Sequence, residues 1–191
     1  MVFDRRVRVL GECLAAQVPP GSSLLDIGCG DGTIASLVAS AVHTSQVSGL
    51  EIVQRTSCSI PCRVFDGTRM PFLDSSFDVC MFVDVLHHTN QIREVLAEAA
   101  RVSRRFLLIK DHLCESSLDF RTLKFMDWIG NCPHGVVLPN NYQSRKQWDA
   151  YFAGAGLRLK KWQGQIPLYP FPFSGIFGRT LHFIALLEKT L

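Results

Sequence analysis

Three glycines at alternate positions, Gly28, Gly30 and Gly32, follow directly on an apolar run, with Asp26 just ahead of them and Asp31 inside the loop. Glycine has no Cβ, so the backbone there can take positive φ and pass close against a ligand. The pattern is G-x-G-x-G. Where the dinucleotide fingerprint G-x-G-x-x-G would place its third glycine, the chain has Thr33. A helix N-terminus attracts a pyrophosphate, whereas Asp26 and Asp31 would repel one. Acids at these places suit a ligand that carries positive charge and a hydroxylated sugar.

S-Adenosylmethionine, with its sulfonium, ammonium and ribose diol, is a ligand of that kind, and S-adenosylhomocysteine is what remains once its methyl group has gone. Transfer from a sulfonium is an in-line displacement, in which alignment supplies roughly 7–11 kcal/mol. A hydroxyl or amine acceptor also needs its proton taken by a side chain titrating near neutrality. His87, His88, His112 and His134 are the candidates. His112, in Lys110-Asp111-His112, is expected near the methyl group; an orienting bond or simple packing is its plainer alternative. Asp84, Asp111 and Asn131 would be oxygen ligands for magnesium, but their spacing is not distinctive and no metal is expected.

These groups need elements to hold them. Val7, Leu10, Leu14 and Ala15 have helical spacing, ended by Pro19-Pro20-Gly21. Residues 23–27 predict a buried strand, Ile34, Leu37, Val38 and Ala41 a helix, and residues 46–53 a second strand with Glu51 near its end. Only one or two helical turns fit before a third strand at 62–65. The apolar run 77–85 predicts a central strand covered on both faces. Ile92, Val95, Leu96 and Ala99 mark the next helix, and 106–110 the strand after it. Ser144 and Gln147 form a capping box that opens a helix striped by Trp148, Tyr151 and Phe152. Strands at 157–162 and 180–187 close the chain, the latter antiparallel. Residues 113–143 break the rhythm and read as an irregular insertion, an acceptor lid. The alternation implies an α/β, doubly wound, mostly parallel sheet in one domain over 1–191, with ligands beyond the carboxyl ends of the strands.

Of the 191 residues 47% are apolar and 19% charged, the composition of a soluble globular domain. A net charge of +3 with scattered Lys and Arg argues against a nucleic-acid partner, and the pairs Arg5-Arg6 and Arg104-Arg105 read as solvated faces. Seven cysteines, an odd number with no signal-peptide pattern ahead of them, point to a reducing, cytoplasmic setting. Cys58 and Cys62 have no second pair at zinc-finger spacing and read as small buried thiols. The apolar stretch 166–187 is broken by prolines, Arg179 and His182, so no membrane span is expected. Its aromatics Tyr169, Phe171, Phe173 and Phe177 suit core packing or, alternatively, a patch for an apolar acceptor, a partner subunit or a membrane surface. Assembly into an oligomer stays open.

Four features at successive strand ends carry more weight than one loop: Asp26 with the glycines, Glu51, Asp66-Gly67 and Asp84. With them, Leu24-Leu25-Asp26-Ile27-Gly28-Cys29-Gly30-Asp31-Gly32, Phe65-Asp66-Gly67-Thr68-Arg69-Met70-Pro71-Phe72, Asp74-Ser75-Ser76-Phe77-Asp78-Val79 and Val85-Leu86-His87-His88 resemble motifs of class I S-adenosylmethionine-dependent methyltransferases, in the small-molecule branch that includes quinone and menaquinone biosynthesis enzymes. The resemblance covers residues 22–110 and implies a Rossmann-like seven-stranded sheet with the last strand antiparallel. It implies that Gly28, Cys29, Gly30 and Gly32 face the methionine moiety with Asp26 near its amino group, that Glu51 holds the ribose hydroxyls, that Ile52 packs on the adenine, that Asp66 and Gly67 meet the adenine amino edge, and that Asp84 and Val85 line the methionine side. The His87-His88 pair belongs to the site in such enzymes. The short span between Glu51 and Asp66 departs from the pattern, and Gln54 and Arg55 stand where a longer helix would make contacts. The expectation is methyl transfer to a small, phenolic or lipid-like acceptor, oxygen favoured; the rivals are an NAD(P)-dependent oxidoreductase and a non-catalytic S-adenosylmethionine-binding partner subunit.

Overall fold

The computed structural model describes residues 2–53, 55–131, 139–171, 174–177 and 180–190. Gln54, Cys132, His134, Phe173 and Arg179 lie outside them, as do the side chains of residues 2–4, 130, 131 and 176. The strands are β1 (Leu24–Ile27), β2 (Val47–Glu51), β3 (Cys62–Val64), β4 (Phe77–Val83), β5 (Ser103–His112), β6 (Leu157–Gln163) and β7 (His182–Lys189). They form one sheet in the order β3-β2-β1-β4-β5-β7-β6. The first five run parallel, and β7 is antiparallel to both β5 and β6. The order reverses at β1, whose neighbours are β2 and β4, and a crevice for ligands opens at such a switch point.

Strand alternation sorts the core into two layers. Leu25, Cys80, Phe82, Leu107 and Ile109 pack under α3 (Ile92–Val102) and α5 (Arg145–Gly154), chiefly against Val95, Leu96, Trp148 and Phe152. Leu24, Val79, Met81, Phe106 and Leu108 face the other way, against Leu10 and Leu14 of α1 (Val2–Ala15) and Val38 of α2 (Thr33–Ala41). β4 is therefore covered on both faces, as its unbroken apolar run predicts. The Ser144–Gln147 capping box opens α5 as expected, with both reciprocal bonds made.

Three elements depart from the sequence-based expectation. β4 stops at Val83 because Asp84 turns out of the strand with φ 58°. β5 is longer at both ends, so His112 is its last residue rather than a loop residue beyond it. The segment after β5 is not irregular throughout: it contains α4 (Ser117–Asn131). Ser116 caps that helix by accepting from the Asp119 N–H at 3.1 Å, and Leu123 and Asp127, one turn apart, are its buried positions. The prolines and glycine downstream masked this local signal. Between β2 and β3, no helix forms among the described residues.

Candidate active site

The carboxyl ends of β1, β2 and β3 bring the expected cofactor groups to one edge. Gly28, Gly30 and Gly32 all take positive φ, 75°, 59° and 73°. A Cβ on Gly28 would lie 2.6 Å from a Val85 methyl, so the loop packs tightly there, whereas one on Gly30 would meet nothing within 4 Å. The loop thus presents open space at Gly30. Asp26 is buried behind it, and its Oδ1 has no hydrogen-bond partner. Burial, with the nearby Glu51 carboxylate adding to it, pushes the Asp26 carboxyl up to about 7. A cation brought to this oxygen would relieve both penalties.

Glu51, the last residue of β2, accepts from the Gly30 N–H at 2.7 Å and from the Ile52 N–H at 3.1 Å, with Arg55 at 3.4 Å from the same oxygen as Gly30. A carboxylate offers about four acceptor positions, so capacity remains for a diol. Ile52 is 63% exposed, an apolar side chain open to solvent beside the cleft. Its Cγ2 lies 3.3 Å from where a Gly67 Cβ would stand, so the two residues adjoin. Asp66 accepts through Oδ1 from the N–H groups of Thr68 and Arg69 at 2.8 and 2.7 Å, which with the Thr68 hydroxyl hold its carboxyl below the usual range. Cys29 differs from its neighbours: its sulfur points towards Gly49 of β2 and lies 3.5 Å from the Cys62 sulfur, leaving only its backbone for the loop face.

A second group of residues gathers beyond β4, β5 and β7, densely charged and buried. Lys110 has the pleat parity of Phe106 and Leu108 and so points to the α1 layer, where its fully buried ammonium bonds Asp84 and lies 3.3 Å from His182 Nδ1. Arg6 of α1 bonds the other Asp84 oxygen at 2.5 Å. Burial would raise the Asp84 carboxyl, but Lys110 and Arg6 hold it well below the usual range. Asp111 accepts from the Leu86 and His112 N–H groups at 2.9 and 2.7 Å and from His87 Nδ1 at 2.7 Å. His87 Nε2 lies 3.5 Å from Asp127 of α4. Burial opposes charge on His87, and its Asp111 and Asp127 neighbours overcome this and raise it. His112 stacks on His87 at 4.4 Å and sends Nε2 to Asp127 at 3.4 Å. Burial and the positive charges of His87 and Lys110 hold His112 neutral, well below its ordinary value. Tyr142 donates its hydroxyl proton to the second Asp127 oxygen. The His88 imidazole is pushed down to about 4 by burial and by His87.

The arrangement can keep one imidazole charged and another neutral a ring's thickness apart. If Nε2–H of His112 donates to Asp127, Nδ1 carries the lone pair; that nitrogen is buried and makes no hydrogen bond. Residues 84–88 join the two regions, with Val85 against Gly28 and Leu86 and His87 bonded to Asp111.

Sequence reading placed Asp26, Glu51, Ile52, Asp66, Gly67 and Val85 on one edge, and the structure brings them there together with the glycines. Asp84 lies at the same edge, but its carboxylate is committed to Lys110 and Arg6 rather than turned free towards a ligand. Arg6 is a correction: it is no solvated charge but closes the buried cluster. Asp84 and Asp111, weighed as magnesium ligands, each bond protein donors through both oxygens. Lys110, Asp127 and His182 were missed. His182 pairs with His112 across β5 and β7, and Asp127 falls one turn after Leu123 on α4, a signal readable only once that helix is recognised.

Residues 25–105 match the family described as "Methyltransferase domain". The chain is 36% identical over 110 residues to 27-O-demethylrifamycin SV methyltransferase of Amycolatopsis mediterranei, covering 50% of this chain and 40% of that protein. It is 24% identical over 152 residues to sterol methyltransferase-like 1 of Botryococcus braunii, covering 71% and 39%. The chain thus spans about two fifths of the length of these curated relatives. The structure of a geranyl diphosphate methyltransferase in complex with GPP and sinefungin has the same fold, with a TM-score of 0.70 over 96% of this chain and 77% of that one at 14% identity. No helix among the described residues is long and apolar enough to cross a membrane. With the G-x-G-x-G loop, the strand-end carboxylates and the seven-stranded sheet already in place, residues 25–105 are similar to the methyltransferase domain family, and the chain has the Rossmann-like fold of S-adenosylmethionine-dependent methyltransferases.

Proposed function

We propose that this domain binds S-adenosylmethionine along the glycine loop and transfers its methyl group to an oxygen of a small, apolar or phenolic acceptor. Asp26 takes the ammonium of the donor, Glu51 the ribose hydroxyls, Ile52 one face of the adenine, and Asp66 with Gly67 its amino edge. The acceptor lies against His88, Tyr142 and His112, and His112 Nδ1 takes the proton released as the acceptor oxygen forms its bond to carbon. That ring is neutral at rest, and its Nδ1 lies 3.7 Å from an Asp84 oxygen that would stabilise the imidazolium. His87 and Asp111 position that ring and the 84–88 segment. S-Adenosylmethionine supplies the electrophilic methyl; the chain's own residues align, exclude water and accept the proton.

The observation that carries this reading is the unpartnered, buried Asp26 oxygen behind an open glycine loop, joined through Val85 to a neutral histidine. An apolar acceptor is supported by α4, which exposes Leu118, Phe125, Trp128 and Ile129 while Asp127 on its inner side bonds the site. Relatives named for a rifamycin and for sterols point the same way. Segment 113–143, with α4, is then the acceptor's lid.

Calorimetric titration with S-adenosylhomocysteine and with NAD separates this reading from an oxidoreductase; heat with NAD alone overturns it. Transfer of labelled methyl to a panel of phenolic and isoprenoid alcohols tests the chemistry. Cofactor binding with no transfer to any of them favours a non-catalytic binding subunit instead.

A further inference from the structure

Among the described residues the connection from β2 to β3 holds no helix, and two cysteines stand at its far end. Cys58 lies within the connection and Cys62 begins β3; the third sulfur comes from the glycine loop, Cys29. All three sulfurs lie within 4.8 Å of one another, and Cys29 and Cys62 are 3.5 Å apart. Each residue is partly exposed and none is in a disulfide. Two glycines make room for them: a Cβ on Gly49 would stand 2.5 Å from the Cys29 sulfur, and one on Gly32 would stand 2.8 Å from that of Cys58. The same connection is tied to the loop by Ser59 N–H donating to the Asp31 carbonyl at 2.7 Å.

We propose that Cys29, Cys58 and Cys62 form a three-thiolate site for a thiophilic d¹⁰ cation of the zinc class, with water as the fourth ligand. A Zn–S bond of about 2.3 Å sets sulfurs roughly 3.8–4.0 Å apart, a spacing these three side chains reach with small movements. Thiolate sulfur selects such ions over magnesium or calcium. A disulfide between Cys29 and Cys62 would leave Cys58 without a role, whereas an ion uses all three sulfurs. The ion would staple the β2–β3 connection to the glycine loop, fixing in place a segment with no helix among its described residues. Each thiol gives up its proton on binding.

The test uses the whole chain, purified reduced and free of chelator. Titration with Co(II) should give one equivalent bound, an intense near-ultraviolet sulfur-to-cobalt charge-transfer band, and its displacement by Zn(II). Cys58→Ser and Cys62→Ser should each weaken binding at least tenfold, and Cys114→Ser, a partly exposed thiol outside the cluster, should leave it unchanged. Should the variants fold poorly, alkylation of the wild-type chain read by mass spectrometry is independent of them. Zn(II) should slow labelling of Cys29, Cys58 and Cys62 but not of Cys13 or Cys114. Absence of the charge-transfer band, its survival in both Cys58→Ser and Cys62→Ser, or equal labelling of all thiols with and without Zn(II) would overturn the proposal.

Discussion

The cofactor edge at β1–β3 and the buried cluster at β4, β5 and β7 are built on opposite principles. The edge is open, and its Glu51 and Asp66 carboxylates are held largely by backbone N–H groups: Ile52 on Glu51 and Thr68 and Arg69 on Asp66 lie within short motifs, while Gly30 on Glu51 ties the glycine loop to β2. The cluster is closed, and its charges are held by one another across Arg6, Asp84, Lys110, Asp127 and His182. An edge of the first kind can admit a charged ligand with little rearrangement. A cluster of the second kind fixes protonation states in advance, because in low dielectric each charge decides its neighbour's.

The contrast can be broken by removing one residue at a time. His112→Ala should lower turnover about 10²- to 10⁴-fold, the range of general base catalysis, with affinity for S-adenosylhomocysteine near wild type; a joint loss of both would merge the two regions. Lys110→Met leaves Asp84 with Arg6 alone in a buried site, and thermal or urea unfolding should show a loss of about 3–5 kcal/mol. Unchanged stability would mean that the cluster is less closed than its geometry indicates.

Asp26→Asn sharpens the comparison through pH. The folded carboxyl, at about 7 against an ordinary 3.8, binds its proton more tightly than the unfolded one. Wild-type stability therefore falls as pH rises from 3.8 through 7 and is level above. Relative to wild type the variant should gain with pH over that window, reaching about 4 kcal/mol above pH 7 by the usual conversion of 1.36 kcal/mol per unit. The wild-type affinity for S-adenosylmethionine should climb several-fold between pH 6 and 7.5 as Asp26 ionises, and the variant should lose that climb; parallel pH profiles would remove the ammonium contact. Glu51→Ala removes an acceptor shared by the loop and the ribose and should weaken S-adenosylhomocysteine binding by about 1.5–3 kcal/mol, read by calorimetry, with turnover at saturating cofactor little altered.

The pH response of the cluster runs through its neutral imidazoles. His112 and His182 are both held well below their ordinary value of 6.5, chiefly by burial. The unfolded chain takes up their protons first, so this contribution to stability is whole above pH 6.5 and is lost as pH falls beneath it.

What the sequence by itself determined is the local part: the glycine loop, the acids at the ends of β1, β2 and β3, the two-sided burial of β4, and the capping box of α5. Each follows from residues that are neighbours in the chain, whose spacing alone sets backbone geometry or strand parity. Only the tertiary structure decided the rest. Arg6 looks like any surface arginine until α1 packs over Lys110, and His182 looks like an interruption in an apolar run until β7 lies antiparallel beside β5. Cys29 meets Cys58 and Cys62 because β1 and β3 flank β2, a long-range pairing that no single stretch of sequence encodes. Charge states follow burial and neighbours, and both are properties of the packed molecule rather than of the chain.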